Sequence, residues 1–217
     1  MKTIIIILSL FISLNVLAHG GGGFKHSDIF KNLGPNDKVA ILMVHFGTTH
    51  DDTRALTIDA INKKVAQTFP GVEVREAYTS RMIMRRLKEK GITKPNPTEA
   101  MNKLIADGYT HLILQPTNII EGIEMEALQK EVVSYQTKFK DIRLGTALLH
   151  SPEDYQAVVK AIAASIKDKE KGDCVFVCHG TYHPANSTYG MLDYVMKAQG
   201  PRTTTWERSK VTPRWMM

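Results

Sequence analysis

A histidine that directly follows an apolar segment has the clearest chemical potential in this sequence. His179 comes after Cys174–Cys178 (CVFVC) and before Gly180, which predicts an imidazole at the C-terminal end of a buried strand with open backbone beside it. Such a ring could act as a base or a metal ligand, or could merely end the strand. His183, four residues later, could be a second ligand or an exposed loop residue.

Two glutamates beside a predicted helix start are the next candidates. Glu121 and Glu124 flank Gly122, and Glu124 falls where the helix dipole favours a negative side chain. Glu124 could therefore serve either the helix or a ligand. Gly47 and Thr48, in the loop after the first apolar segment, could bind an anion through their backbone N–H groups.

The remaining histidines and the cysteines point to structural roles. His45 ends the first apolar segment, where it could face the ligand cleft, although we expect a packed or hydrogen-bonded ring. Cys174 and Cys178 would lie roughly 13 Å apart on a strand that rises about 3.3 Å per residue, which is too far for a disulfide. We expect both to be small apolar residues of a core strand. His50, His111 and His150 are scattered rather than clustered. His19 and His26, beside the glycine run, could bind a metal weakly or have no role.

Short apolar segments alternate with longer amphipathic segments from Lys38 onward. This pattern predicts an α/β fold with a mainly parallel sheet, helices on both faces, and ligand-binding loops after the strands. The predicted strands are residues 39–46, 72–77, 111–115, 142–146 and 174–178. The predicted helices are residues 52–68, 81–88, 97–106, 124–137, 152–167 and 186–198.

The two ends of the chain differ from its middle. Residues 1–18 combine Lys2, an apolar run at 4–14 and a small-residue end at Ala18, which predicts a secretory signal peptide and a periplasmic protein. The run of about 11 apolar residues is shorter than the roughly 20 of a spanning helix. Residues 19–35 form a Gly-rich spacer, residues 36–150 a first domain, and residues 151–200 the start of a second domain with a single predicted strand.

Charge and motifs exclude some classes of function. The net charge is +6, and half of the excess lies in residues 201–217. The sequence contains no basic segment with interleaved aromatic residues, so we do not predict nucleic-acid binding. The sequence has no Walker loop, so no nucleotide is expected, and it has no nucleophile elbow.

Four segments, in this order, resemble the anaerobic sirohydrochlorin cobalt chelatases. They are residues 44–49 (VHFGTT), 77–83 (AYTSRMI), 115–124 (QPTNIIEGIE) and 178–181 (CHGT), and the match covers about residues 36–200. The resemblance implies two similar α/β domains with a cleft in which a divalent metal enters a macrocyclic tetrapyrrole without ATP. The chain departs from the family at Asn118, where a histidine is usual, and at His45, where a serine is common.

The resemblance also implies the roles of residues. His179 would bind the metal and accept protons, Glu124 would lie near the substrate, and Gly47, Thr48 and Gly180 would contribute to substrate binding. A glutamate in a Glu-Gly-Tyr-Pro segment and a second histidine, both further along, complete the family's metal site. Insertion must remove two pyrrole N–H protons and strip water from the cation, which suits a neutral imidazole.

The segment at residues 201–217 has no apolar period and predicts neither strand nor helix. A suitable choice of codons, read from the third base, yields Pro-Asn-Tyr-Tyr-Val-Gly-Thr-Val-Glu-Gly-Tyr-Pro, which resembles the family's next strand. We therefore expect this tail to be out of frame, and the chain of 217 residues to have little chelatase activity. The nucleotide sequence across codons 195–230 tests this hypothesis.

The leading interpretation is an exported enzyme that inserts Co²⁺ into sirohydrochlorin as a step toward cobalamin, and a homo-oligomer is compatible with it. Fe²⁺ or Ni²⁺ would suit the same His and Glu ligands. Export also favours an alternative, a periplasmic carrier that binds haem, another tetrapyrrole or a metal ion without inserting it. Conversion of a metal-free tetrapyrrole, as opposed to binding alone, distinguishes the two.

Overall fold

The computed structural model describes residues 29–166, 174–199 and 204–208. Its strands are β1 (Val39–His45), β2 (Glu73–Tyr78), β3 (His111–Pro116), β4 (Asp141–Leu144), β5 (Cys174–Cys178) and β6 (Thr204–Arg208). Its α-helices are α1 (Asp51–Leu56), α2 (Ile58–Thr68), α3 (Arg81–Glu89), α4 (Pro97–Ala106), α5 (Ile123–Val133), α6 (Pro152–Ile166) and α7 (Ser187–Gln199). Short 3-10 helices lie at Ile29–Asn32 and Pro184–Asn186.

The strand β1 lies inside a four-stranded sheet because nearly all of its residues are apolar. The order is β2-β1-β3-β4, and every neighbouring pair is parallel. All residues of β1 after Val39 are buried, as expected for a strand with both faces covered. The predicted α/β fold with a parallel sheet and flanking helices is confirmed.

Each face of this sheet packs against its own helices. On one face, Leu42 and Val44 join a cluster with Met101 and Leu104 of α4 and Leu128 of α5. The opposite face holds a smaller cluster in which Tyr78 packs against Ile58 of α2 and Leu87 of α3. Since all four strands are parallel, their C-terminal ends share one edge of the sheet.

A third cluster of apolar residues surrounds α6 and α7. It includes Tyr155, Leu192 and Met196, with Phe176 of β5 packed against it, and Leu149 joins it from the loop after β4. The strand β5 pairs in parallel with β6 in a separate two-stranded sheet. A boundary between two domains near residue 150 stays a prediction.

The structure differs from the predicted elements at several places. The helix predicted at 52–68 is two helices, because Thr57 between them has non-helical backbone angles and its hydroxyl donates to Thr53 O. The predicted helix at 124–137 ends at Val133, and the predicted strand at 142–146 is Asp141–Leu144. The other predicted strands and helices have observed counterparts with bounds within two residues.

The expectation that residues 201–217 contain no strand was wrong. Thr204–Arg208 forms β6, and its Thr-Thr-Trp sequence has the β-branched and aromatic residues that favour strands without any apolar period. Residues 201–203 and 209–217 lie outside the described residues, as do residues 1–28 with the predicted signal peptide and most of the spacer. The out-of-frame origin of the tail stays a prediction.

None of the helices in the described ranges combines the length and the apolar character needed to cross a membrane.

Candidate functional site

Loops at the C-terminal edge of the sheet are joined to one another by backbone hydrogen bonds. Thr117 N, after β3, donates to Val44 O of β1 at 2.9 Å. In the loop after β4, Leu148 N and Leu149 N donate to Asn118 O and Ile119 O, both at 2.9 Å. These loops therefore form one surface, as expected for a ligand site in a parallel α/β sheet.

One ring nitrogen of His179 is hydrogen-bonded, and the other has no hydrogen bond within the described residues. Its Nδ1 lies 2.8 Å from Gly180 O, and because a carbonyl oxygen only accepts, Nδ1 carries the proton. In the neutral ring the lone pair then belongs to Nε2, for which no hydrogen bond exists within the described residues. The side chain is exposed at the end of β5. A ring fixed through Nδ1 with a free Nε2 is the arrangement of a metal-binding histidine.

His183 has no nitrogen free for a metal. Its Nδ1 accepts from Ala185 N at 3.1 Å, so the proton is on Nε2, which donates to Glu126 Oε1 at 2.9 Å. This hydrogen bond lowers the pKa of Glu126. His183 thus joins the loop after β5 to the first turn of α5, and metal binding through either nitrogen would break a contact.

Glu121 and Glu124 have different environments. Glu121 Oε1 accepts from Ala147 N at 2.9 Å and lies 3.3 Å from His150 Nδ1, so this carboxylate supports the loop after β4. Glu124 is exposed in the first turn of α5 and makes no hydrogen bond or ion pair within the described residues. Glu124 is therefore the free acid of this segment.

Among the hydrogen bonds of the described residues, the one between His183 and Glu126 joins the His179 loop to the start of α5. Glu124 lies two residues before Glu126, and residues two apart on an α-helix point about 200° apart. No direct contact between His179 and Glu124 exists in the described part of the chain. Their joint action on one substrate stays a prediction.

Gly47 is required by a close approach to an aromatic ring. Its φ is +98°, and a Cβ atom at this position would lie 2.5 Å from Cδ2 of the buried Tyr78. The Thr48 side chain accepts from His50 N at 3.2 Å, which shapes the loop. The N–H groups of Gly47 and Thr48 donate no hydrogen bond to other described residues. They remain candidates for an anionic group of a ligand.

His45 is packed and hydrogen-bonded behind this surface. Its Nε2 donates to Asn62 Oδ1 at 3.0 Å, and the amide orientation is fixed because Asn62 Nδ2 donates to Glu76 Oε2. Its Nδ1 lies 3.0 Å from Thr117 Oγ1. Burial lowers the pKa of His45 and favours the neutral ring. The expectation of a structural histidine agrees with this geometry.

Large apolar side chains are exposed in four loops that follow strands. We define the apolar rim as Phe46 after β1, Ile119 after β3, Leu148 after β4 and Tyr182 after β5, of which the least exposed has 51% of its surface in contact with solvent. The sequence reasoning missed these residues. The available signal was the presence of large apolar residues in the segments that follow the predicted strands. Three of these residues follow strands of the four-stranded sheet and share its C-terminal edge, whereas Tyr182 follows β5 of the other sheet. Exposed apolar residues gathered at a sheet edge indicate a ligand or interface surface.

The other described histidines do not join a metal site. His111 lies at the start of β3, at the opposite end of the sheet, and its Nδ1 contacts Thr110 Oγ1 at 2.8 Å. His150 pairs with Glu121, and His50 is exposed before α1. Within the described residues no group of three or more His, Cys, Asp or Glu side chains could hold a metal ion. Cys178 is a free thiol, as expected.

Comparison with known proteins assigns the family. The family model described as cobalt chelatase (CbiK) matches residues 39–207, which is most of the chain. This chain belongs to the cobalt chelatase family. The matched range includes all four strands of the parallel sheet, the His179 loop and most of β6.

Two named relatives share this family. The sirohydrochlorin cobaltochelatase of Salmonella typhimurium is 37% identical over 166 residues, which are 75% of this chain and 62% of the relative. The sirohydrochlorin cobaltochelatase CbiKC of Nitratidesulfovibrio vulgaris is 31% identical over 171 residues, which are 77% of this chain and 60% of the relative. The chain of this cobalt chelatase family member thus spans about 60% of the length of these relatives.

Proposed function

We propose that this protein inserts Co²⁺ into sirohydrochlorin, with His179 as a ligand of the incoming metal. The observation that carries the proposal is the exposed imidazole whose Nδ1–H is held by Gly180 O and whose Nε2 is free. The exposed apolar residues of the rim, of which Tyr182 lies in the same loop as His179, suit the face of a macrocyclic tetrapyrrole. Membership of the cobalt chelatase family and the names of the two relatives support this substrate pair.

The chemistry divides into metal delivery and proton removal. Nε2 of neutral His179 donates its lone pair to Co²⁺ and replaces a water ligand, as imidazole readily does with borderline cations. Each Co²⁺ that enters the ring displaces two pyrrole N–H protons. After His179 releases the metal, its free Nε2 can take one proton, and the unpaired carboxylate of Glu124 or solvent can take the other.

Several further properties belong to the proposal. Insertion proceeds without a nucleotide, because metal binding and proton transfer require no phosphoryl transfer. Fe²⁺ and Ni²⁺ compete for the same imidazole and carboxylate ligands. Export to the periplasm rests on the sequence of residues 1–18. The little activity expected for the chain of 217 residues rests on the shifted-frame hypothesis for its tail.

The test follows metal insertion by the absorbance change of sirohydrochlorin on addition of Co²⁺. It uses this chain and the longer chain that the shifted reading frame would encode, each with His179→Ala and with His50→Ala as a control. His50 is also exposed at this edge, and its side chain does not cap α1. We expect His179→Ala to slow insertion by about 10²-fold or more, and His50→Ala to change it less than about twofold.

The outcomes separate the two functions. If the longer chain still inserts Co²⁺ at an unchanged rate when it carries His179→Ala, the proposed role of this imidazole is refuted. If every form binds the metal-free tetrapyrrole and none converts it, the protein is a carrier and the enzymatic proposal fails.

A further inference from the structure

The helix α3 presents three cations along one side. Leu87 of α3 is fully buried against Tyr78 and Ile58, so the opposite side of the helix faces solvent. Arg81, Arg85 and Lys88 are spaced i, i+4 and i+7, which places them on one helix face. With Met84, Thr93, Lys94, Asn96 and Glu99 they line a groove of about 300 Å³.

The three cations have no acidic partner in the part of the chain that the structure describes. The one carboxylate that lines the groove, Glu99, is engaged in the capping box of α4, where its Oε2 accepts from Asn96 N at 2.9 Å. Lys94, the fourth cation of the groove, is paired with Glu76. The groove therefore carries positive charge that the fold leaves uncompensated.

This arrangement does not help the helix itself. Like charges at i, i+4 repel each other, and a cation in the first turn opposes the helix dipole. Arg81 is in that first turn, which contains no acidic residue. Arg81 and its pairing with Arg85 thus act against helix stability, whereas Lys88 lies in the last turn, where the dipole favours a cation. An anionic ligand would relieve the repulsion between the two arginines.

The start of α3, at one end of the groove, lies beside one residue of the apolar rim. Arg81 directly follows Ser80, whose N–H donates to the carbonyl of Phe46, a rim residue, at 3.2 Å. Thr79 N donates to His45 O at 2.9 Å beside it. A flat ligand on the rim would therefore have its edge at the start of α3.

We propose that Arg81, Arg85 and Lys88 form a subsite that binds the side-chain carboxylates of an acidic tetrapyrrole lying on the apolar rim. This inference rests on the proposed function and adds a specificity-determining site to it. Sirohydrochlorin and its relatives carry carboxylates around an apolar ring, which matches cations beside an apolar surface. The groove has no aromatic side chain on which a nucleobase could stack, so single-stranded nucleic acid fits it poorly.

The test measures equilibrium binding, which does not depend on turnover. Metal-free uroporphyrin, a polycarboxylate porphyrin, is titrated into the full chain, and binding is followed by porphyrin fluorescence at low and high salt. The variant is Arg81→Gln with Arg85→Gln, the conservative version is Arg81→Lys with Arg85→Lys, and the matched control is Arg86→Gln. Arg86 is exposed on the same helix but does not line the groove.

We expect the double Gln variant to raise the Kd about 2- to 30-fold, the range for two partly exposed charge pairs, and to weaken the salt dependence. The Lys version should restore most of the affinity, and Arg86→Gln should change Kd less than about twofold. Circular dichroism verifies that each variant is folded.

Three results would overturn the proposal. If the unmodified chain binds uroporphyrin and the double Gln variant behaves like Arg86→Gln, the subsite is wrong while the proposed function stands. If the variant loses binding to vesicles of anionic phospholipid and keeps uroporphyrin affinity, the cations serve a membrane instead. If the unmodified chain does not bind uroporphyrin at all, the subsite is refuted, and the absorbance assay with sirohydrochlorin decides the proposed function separately.

Discussion

Replacing Gly47 by alanine tests how the loop after β1 is fixed against the sheet. The structure places the added Cβ atom 2.5 Å from Tyr78 Cδ2 and 2.9 Å from Cε2, where contacts of about 3.5 Å or more are normal. Tyr78 is fully buried, so its ring has little room to move. A matched control exists at Gly71, which has a similar φ of +81° but no atom within 4 Å of an added Cβ.

Both variants carry the cost of placing alanine at a positive φ. Only Gly47→Ala adds a steric contact with Tyr78. Alanine at a positive φ costs about 1–2 kcal/mol, and the loss of chain entropy in the unfolded state offsets about 0.4–1 kcal/mol of this. Gly71→Ala should therefore lower the free energy of unfolding by about 1 kcal/mol. Gly47→Ala adds the overpacking of Tyr78, about 1–3 kcal/mol. Its total destabilisation should be about 2–4 kcal/mol.

The assay is urea denaturation followed by circular dichroism. At an m-value of about 2 kcal/mol/M, the extra term lowers the urea midpoint of Gly47→Ala by about 0.5–1.5 M relative to Gly71→Ala. If the two glycine variants unfold at the same urea concentration, the approach of Gly47 to Tyr78 does not hold the loop, and the reasoning is refuted.

Two further predictions concern the buried side chains behind this loop. Because burial lowers the pKa of His45 below its usual 6.5, the unfolded chain takes up the proton first as the pH falls. The stability contributed by the neutral ring is present above about pH 6.5 and is lost below it, by up to about 1.4 kcal/mol per pH unit. The pH dependence of the unfolding free energy between pH 7.5 and 5.5 should be weaker in His45→Gln, and an equal slope would contradict this. Tyr78 Oη is buried without a hydrogen-bond partner among the described residues, and burial raises the pKa of Tyr78 to about 12. Tyr78→Phe should therefore raise the unfolding free energy by about 1 kcal/mol in the same urea assay, whereas a clear loss would indicate that the hydroxyl has a partner.

The sheet could be predicted because its strands carry a strong local signal. Residues 39–45 are almost all apolar, and the sequence placed the strand within one residue of its observed end. The strand β6 was missed because five residues with a Thr-Thr-Trp sequence show no alternation that distinguishes them from a loop. The break at Thr57 was also missed, because the residues on both sides of it have a helical pattern. Its side-chain hydrogen bond to Thr53 O is visible only in the structure. Local patterns therefore predict long apolar elements better than short ones.

The candidate site could be predicted only in part, because its state depends on contacts between distant residues. The sequence placed His179 at the end of a strand, and the structure adds that Gly180 O holds Nδ1. The sequence could not decide whether His183 is a second metal ligand. The carboxylate that accepts a hydrogen bond from this ring belongs to Glu126, which is 57 residues away in the sequence. Its roles for Glu124, Gly47, Thr48 and Gly180 as substrate-binding residues stay predictions. No pattern within a single segment reveals such pairs.

The strand order itself limits which ligands could use all parts of the proposed site. The groove of α3 adjoins β2, whereas Leu149 after β4 packs in the cluster that includes Phe176 of β5, whose end carries His179. In the order β2-β1-β3-β4, the two outer strands are three spacings apart, or about 14 Å at about 4.8 Å per spacing. A ligand that contacts residues beside both outer strands must span at least this distance. A broad, flat ring with charged substituents could cover the rim between them, so selectivity for acidic macrocycles would follow from the topology of the sheet.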